Sequence, residues 1–167
     1  LGRPLQNVVF QGSPGKKDVV QPIAYDEFGR NPIEYLPYVA GEVTGTYKAT
    51  AIDPVTYTNS EQYDFYNTLS DNIVNDTVPY SEKVFEASPL NRVLAQYGPG
   101  QSWRVNNKST QLSYQINRVE LDSVISWKVD PTNSKRVVKA TPNIYPTGEL
   151  TKNTTTDEQG NEVQEFK

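Results

Sequence analysis

Tyr25-Asp26-Glu27-Phe28-Gly29-Arg30 is the stretch of this 167-residue chain from which the fold can be predicted. It places an oxygen-bearing side chain three positions before a residue that tolerates positive φ. Related triplets, aligned on that permissive residue, recur along the chain. They are Leu1-Gly2-Arg3, Phe28-Gly29-Arg30, Leu90-Asn91-Arg92 and Gln159-Gly160-Asn161. The sequence therefore uses one small motif repeatedly.

The motif has the chemistry of a tight hairpin corner. Asp or Ser at its first position accepts a hydrogen bond from the backbone N–H two residues on, and Gly or Asn at its fourth position tolerates the left-handed region. Pro89 suits the φ of a type I turn between Ser88 and Asn91. We predict hairpin corners whose structural residues are Asp26, Gly29, Arg30, Ser88, Asn91, Arg92, Asp157 and Gly160.

Arginines recur beside the corners, at Arg3, Arg30 and Arg92. One interpretation of this recurrence is ligand binding. The other is structural, because an Arg on a β surface pairs with a carboxylate of a neighbouring strand or stacks on an aromatic ring. The structural interpretation is favoured, since cross-strand pairs are the usual unit of sheet stabilisation.

The hexamer at residues 25–30 resembles the YD repeat of bacterial RHS-repeat proteins, a family that also includes the animal teneurins. Other segments resemble the N-terminal RHS-associated segment, a domain of unknown function that precedes the repeat array. These segments are Leu1-Gly2-Arg3-Pro4-Leu5-Gln6, Tyr35-Leu36-Pro37-Tyr38, Phe65-Tyr66-Asn67-Thr68-Leu69 and Phe85-Glu86-Ala87-Ser88-Pro89-Leu90-Asn91-Arg92-Val93-Leu94. Together the motifs cover most of the chain.

This resemblance implies a wall of β-strands that spirals into a large hollow shell. In bacterial members the shell often encloses a C-terminal toxin, and in teneurins it supports adhesion. The chain would then be a structural scaffold segment of a secreted or cell-surface protein. Its partners would be the remaining YD repeats of the same polypeptide, with a C-terminal toxin payload or the secretion machinery as further partners.

The composition independently favours β structure. Apolar residues make up 35% of the chain, yet there are 11 Tyr, 5 Phe and 2 Trp, so aromatic and β-branched strand residues must supply much of the core. Apolar and polar residues alternate at 112–116 and at 125–129, which is typical of half-buried strands. We predict one mainly β domain over residues 1–167, built as a twisted antiparallel sheet of hairpins.

One short helix is predicted, within an insertion at residues 41–80. The helical signal lies between residues 60 and 72, and Phe65, Tyr66, Leu69 and Ile73 fall at helical spacing on one face. Such a face usually packs on the body of the domain, so we expect it to pack against the sheet, with partner binding as the alternative.

Cysteine and histidine are both absent from the chain. No disulfide, thiolate nucleophile, Cys/His zinc site or Ser-His-Asp triad can be built from it alone. Carboxylate pairs are the remaining general acid–base groups. None is distinguished from ordinary loop carboxylates, and calcium-loop spacing is missing. We expect no enzyme activity, cofactor or metal; the pairs are Asp71 with Asp76, Glu120 with Asp122, and Asp157 with Glu158.

Charge and hydropathy exclude two further classes of partner. The formal net charge is −4 and the basic runs are no longer than residue pairs, so we expect no nucleic acid partner. No apolar run approaches the roughly 18 residues of a membrane span. Because the chain lacks Met and begins inside a turn motif, it is expected to be a fragment of a larger protein.

A second function class stays open, a surface adhesion or carbohydrate- or protein-binding module that uses exposed Tyr and Trp side chains. Trp103 follows a Gly-Pro-Gly loop and is the candidate ligand-binding residue. Trp127 lies on an alternating strand and is expected in the core.

Overall fold

A computed structural model describes residues 2–69 and 73–167, with side chains throughout except at 134–136 and 139–142. These residues form eleven β-strands, three short α-helices and one 3-10 turn. Strands make up most of the regular structure of the described residues. The prediction of a mainly β, antiparallel fold is therefore confirmed.

The chain divides into two compact units, residues 1–109 and residues 110–167, where the sequence predicts one domain. In the first unit, β1, β2 and β4 pair in that order, and β5 pairs with β3 and β6; all of these pairings are antiparallel. Its elements are β1 (Gln6–Val9), β2 (Val19–Pro22), β3 (Ile33–Tyr35), β4 (Tyr38–Val39), a 3-10 turn (Tyr57–Asn59), α1 (Glu61–Tyr66), β5 (Tyr80–Phe85), β6 (Val93–Tyr97) and α2 (Gln101–Val105).

The core of the first unit lies where α1 meets β2 and β4. Phe65 of α1 packs against this core, and its ring centroid lies 6.2 Å from that of Tyr38. The expected packing of the helix on the sheet is therefore confirmed. The buried members of the core are Val20, Tyr38, Ala40 and Ala51.

The helix is shorter than its apolar pattern suggests. It ends at Tyr66, with Asn67 as its C-cap. Leu69 lies beyond the end and is 89% exposed, and Ile73 lies in an isolated β-bridge, so the assignment of Leu69 to the packed face and of Ile73 to the helix is wrong. Residues 70–72 of the predicted helix lie outside the described residues. Helix α2 was not predicted, because a five-residue helix is too short to display a 3.6-residue period.

A buried carboxylate holds two loops of the first unit against the start of β2. Asp18 is fully buried, and its Oδ1 accepts a hydrogen bond from the Gln11 N–H at 3.1 Å. Its Oδ2 accepts from the N–H groups of Thr44 at 3.0 Å and Gly45 at 2.7 Å. Lys48 Nζ lies 3.1 Å from the same oxygen. Burial alone would raise the pKa of Asp18, but these donors and the ammonium group hold it well below its usual range.

In the second unit, β10 pairs with β7 on one side and β11 on the other, and β8 pairs with β9; these pairings are antiparallel. Its elements are β7 (Thr110–Ile116), α3 (Val119–Asp122), β8 (Ile125–Asp130), β9 (Asn133–Ile144), β10 (Thr151–Thr156) and β11 (Glu162–Phe166).

The alternating strand β8 does not bury its apolar face as expected. Ile125, Trp127 and Val129 are 43%, 54% and 56% exposed, so the assignment of Trp127 to the core is wrong. Alternation places these side chains on one face of a strand, but it does not determine whether a second layer covers that face. In this unit they belong to a two-stranded ribbon rather than to the interior of a sandwich.

Candidate functional site

The first corner, residues 26–30, is closed by one carboxylate and one glycine. Asp26 Oδ1 accepts hydrogen bonds from the N–H groups of Phe28 at 3.0 Å and Arg30 at 2.8 Å. The Gly29 N–H donates to the Asp26 carbonyl at 2.9 Å, and Gly29 has φ +75°. Arg30 Nε donates to Asp26 Oδ2 at 2.7 Å. The chain reverses here, because Ile23 on one side bridges antiparallel to Glu34 on the other.

The last corner, residues 157–161, uses the same set of contacts between β10 and β11. Asp157 Oδ1 accepts from the N–H groups of Gln159 at 2.9 Å and Asn161 at 2.8 Å. The Gly160 N–H donates to the Asp157 carbonyl at 3.0 Å, and Gly160 has φ +89°. Asn161 Nδ2 donates to Asp157 Oδ2 at 2.8 Å. The Asn161 amide thus occupies the place of the guanidinium in the first corner.

The middle corner, residues 86–92, joins β5 to β6. Glu86 closes it, in addition to the turn residues Ser88 and Asn91. The Asn91 N–H donates to the Ser88 carbonyl at 3.2 Å, and Asn91 has φ +53°. Ser88 is too short to reach the far side of the turn. Glu86 does so instead, with its Oε2 accepting from Arg92 Nε at 2.9 Å and its Oε1 from the Ser88 hydroxyl at 2.6 Å.

Two arginines make long-range hydrogen bonds to the corners of the first unit, Arg3 from the N-terminal segment and Arg30 from the first corner. Arg3 Nη1 donates to the Gly29 carbonyl at 2.8 Å. Arg30 Nη1 donates to Asn91 Oδ1 at 3.0 Å. Asn91 therefore supplies an acceptor as well as a left-handed backbone. The carboxylate partners of Arg30 and Arg92 lie across the turn in their own corners, and Arg30 also stacks on aromatic rings.

An aromatic cavity of about 710 Å³ lies between the first and middle corners. The Arg30 guanidinium lies 4.9 Å from the centroid of the Phe28 ring and 4.6 Å from that of Phe85. Phe28 is 69% exposed at the tip of its corner. Because Arg30 is already held by Asp26 and Asn91, this arrangement is suited to packing and positioning rather than to catalysis.

The corner carboxylates are held in their ionised form. Burial alone would raise the pKa of Asp26, but its contacts with Arg30 and the turn N–H groups lower it below its usual range. The Asn161 amide and the turn N–H groups likewise lower the pKa of Asp157. Hydrogen bonds from Arg92 and Ser88 lower the pKa of Glu86 to about 2. The hydrogen bonds that close each corner therefore depend on pH, because protonation of the carboxylate weakens them.

Acid is expected to loosen the middle corner through Glu86. Its pKa is lowered from 4.5 to about 2, so its contribution to stability is fully present above about pH 4.5 and is lost as the pH falls toward 2. We expect Glu86→Gln to lower the melting temperature at neutral pH and to converge on the wild type near pH 2. Thermal denaturation followed by circular dichroism across this range tests it. The exposed Glu27→Gln is the control, and a Glu86→Gln penalty that persists unchanged in acid would contradict the prediction.

The candidate Trp103 lies on α2 and is 38% exposed. A Cβ built on Gly98 would lie 3.3 to 3.5 Å from three consecutive atoms of the indole ring, so one ring face packs on the glycine backbone. The loop glycine thus allows the close approach of the ring. The side chain is anchored on one face and partly open to solvent.

Four of the carboxylates singled out in the sequence, Asp76, Asp122, Asp157 and Glu158, accept hydrogen bonds within the fold. Asp122 Oδ1 accepts from Lys152 Nζ at 2.6 Å, and this bond lowers the pKa of Asp122. Glu158 accepts from the Thr110 hydroxyl at 2.8 Å. Asp76 Oδ1 accepts from the N–H groups of Val78 and Gln101. Asp71, the other member of that pair, lies outside the described residues.

The described part of the chain contains neither a metal-binding cluster nor a membrane-spanning helix. Within residues 2–69 and 73–167, no three Cys, His, Asp or Glu side chains are grouped so that they could hold a metal ion. Over the same residues, no helix is long and apolar enough to cross a membrane.

Sequence reasoning missed two residues that organise these sites. Glu86 carries the carboxylate of the middle corner, and its signal is an acidic residue two positions before a Ser-type corner. Asp18 looks like a solvated charge after two lysines, and its partners come from distant loops. The sequence pattern therefore does not reveal the role of Asp18.

Fold and site together define a mainly β protein whose distinctive feature is a set of hairpin corners, each closed by hydrogen bonds to a carboxylate. Comparison with known families matches residues 1–116 to the domain of unknown function DUF6443. Because the match spans more than half of the chain, the protein belongs to this family. The match contains the first and middle corners and ends at the last residue of β7. The corresponding searches found no match among curated proteins or solved structures.

Proposed function

We propose that this chain is a structural β-scaffold segment of an RHS/YD-repeat shell. The observation that carries the proposal is the recurrence of one hydrogen-bond set at Asp26 and Asp157, two sites far apart in the chain. A corner reproduced with the same donors and acceptors is a structural unit that can be used repeatedly. Repeat architectures bury their faces by stacking such units on their neighbours.

The outer edge of β11 supports the same proposal. Thr151 and Lys167 exchange N–H to carbonyl hydrogen bonds of 2.9 and 3.0 Å, which defines a hydrogen-bonded pair at the start of β10 and the end of β11. Hydrogen-bonded and open positions alternate along an antiparallel pair. The backbone groups of Glu162, Gln164 and Phe166 therefore point away from β10, and such an edge can receive another strand.

On this proposal the function is mechanical. The chain helps to begin the β wall, and the YD repeats of the same polypeptide continue it from the β11 edge. The assembled protein is secreted or displayed at the cell surface and surrounds a C-terminal toxin, as in the bacterial proteins that the sequence resembles. The secretion machinery is then a second partner.

The natural polypeptide that carries these residues, purified whole and imaged by cryo-electron microscopy, tests the proposal. We expect a further strand hydrogen-bonded to Glu162, Gln164 and Phe166, and corners stacked along one wall. A whole polypeptide in which the outer edge of β11 faces solvent would overturn the proposal.

A second candidate function is carbohydrate binding at Trp103. It is favoured by the indole ring, which is anchored on Gly98 and remains 38% exposed, because sugar rings stack on such aromatic platforms. Glycan-array binding that is lost in Trp103→Ala and kept in Val105→Ala would support it; Val105 is exposed on the same helix. Equal glycan binding by both variants, or none by the wild type, would exclude this role.

A further inference from the structure

The outer edge of β11 has few of the features that prevent strand association. The strand pairs with β10 over five consecutive residues in unbroken register. It contains no proline, and Val163 is 70% exposed. Natural edges are commonly blunted by proline, by bulges, by very short strands or by charged side chains, and of these β11 carries only the charges of Glu162 and Glu165. This edge is therefore open to a second strand.

We propose that two copies of this chain associate through β11, as antiparallel strands related by a two-fold axis at Gln164. A register centred on Gln164 places Glu162 opposite Phe166 of the second copy and Gln164 opposite itself. It engages all three outward-facing residues of each strand. A register shifted by two residues leaves at least one outward residue of β11 without a strand partner.

The side chains agree with this register. Val163 lies opposite Glu165 of the second copy, so no like charges are directly opposed within β11. The nearest like pair is Glu165 with its symmetry mate, at the diagonal position, which is more distant than a direct pair. In each copy Lys167 Nζ lies 3.0 Å from Glu165 Oε2 and offsets that charge. Charge therefore does not oppose the pairing.

This inference rests on the same edge as the proposed function, but it requires no further repeat. In a complete wall the next strand of the polypeptide would occupy the edge, and in the 167-residue chain a second copy takes its place. The two ideas are tested on different molecules, so one can fail without the other.

Sedimentation velocity of the 167-residue chain is the first experiment. We expect a concentration-dependent dimer that is lost in Gln164→Pro. The Gln164 N–H faces away from β10, so proline there removes an outward donor and leaves the β10 ladder intact. Unchanged circular dichroism of the variant, with the melting temperature of the wild type at concentrations where the wild type is monomeric, would identify loss of pairing rather than loss of fold.

Disulfide trapping is the second experiment, and the absence of cysteine from the chain makes it clean. We expect Gln164→Cys to form a covalent dimer on mild oxidation, because directly opposed residues of a hydrogen-bonded antiparallel pair have Cα atoms about 5.5 Å apart. Gln159→Cys, exposed at the last corner and remote from the two-fold axis, is the matched control and should stay monomeric.

A wild type that remains monomeric at high concentration, or equal crosslinking of the two cysteine variants, would overturn the inference. Amide hydrogen exchange then tells which idea has failed. Fast exchange at Glu162, Gln164 and Phe166 in a monomer overturns self-pairing and leaves an open edge for a strand of another repeat. Slow exchange at the same three amides in a monomer overturns the open edge, and with it both proposals.

Discussion

Replacing Asp18 with Asn is expected to lower the melting temperature by about 10 °C, since breaking a buried ion pair is strongly destabilising. The carboxylate accepts three backbone N–H groups and lies 3.1 Å from Lys48 Nζ. An amide would direct its own N–H groups at one of these donors and would leave Lys48 charged in a buried site. Thermal denaturation at neutral pH measures the loss.

Two further variants separate the causes of the Asp18 effect. Asp53 accepts from the N–H groups of Val55 and Thr56 without an ion pair, so Asp53→Asn is the control and should cost much less. Lys48→Met in the Asp18→Asn background removes the stranded ammonium and should recover part of the loss. A small Asp18→Asn effect, equal to that of Asp53→Asn, would show that the buried pair is not a main support of the first unit.

The pH dependence of the Asp18 contribution follows from its lowered pKa. A carboxyl whose folded pKa lies below its unfolded value of 3.8 contributes fully above that value. Its contribution is lost as the pH falls through the folded pKa. The stability difference between wild type and Asp18→Asn is therefore expected to be largest near neutral pH and to shrink in strong acid.

Gly29→Ala is expected to destabilise the first unit by about 2–3 kcal/mol. Of this, about 1–2 kcal/mol comes from a side chain at φ +75°, and about 1 kcal/mol from the lost Arg3 hydrogen bond. A Cβ at Gly29 would overlap the Arg3 guanidinium, which must then leave the Gly29 carbonyl. Denaturant unfolding followed by circular dichroism measures the sum.

Gly160→Ala is the matched control for the Gly29 prediction. Gly160 has a similar φ of +89°, and a Cβ added there meets open space among the described residues. It should cost only the backbone part, about 1–2 kcal/mol. In an Arg3→Ala background the two alanine variants should cost the same. If Gly29→Ala still costs more unfolding free energy than Gly160→Ala in the Arg3→Ala background, the link between Arg3 and the first corner is disproved.

The corners could be predicted because their signals are local. Asp26 to Gly29 and Asp157 to Gly160 need only a short oxygen-bearing side chain and a permissive residue three positions later, and the backbone closes on them within five residues. The antiparallel β class followed from the same turns and from alternation. These features depend on near neighbours in the chain.

What could not be predicted depends on which distant surfaces meet. The partners of Asp18 lie 7 to 30 residues away, and nothing near Asp18 in the sequence marks it as buried. The two faces of β8 are distinct in the sequence, but the layer that would cover Trp127 is not encoded in the strand itself. The acceptor role of Asn91 became visible only once Arg30 was placed beside it, 61 residues away in the chain.

The two arginine links also affect how this protein is made. Arg3 reaches across 26 residues and Arg30 across 61, so each link closes a long loop whose entropy must be overcome before the contact forms. During synthesis the hydrogen bond between Arg30 and Asn91 cannot form until residue 91 has left the ribosome. The N-terminal part of the chain therefore stays partly folded until its later part has been synthesised. A translational pause before residue 91 emerges would prolong its exposure to chaperones and proteases.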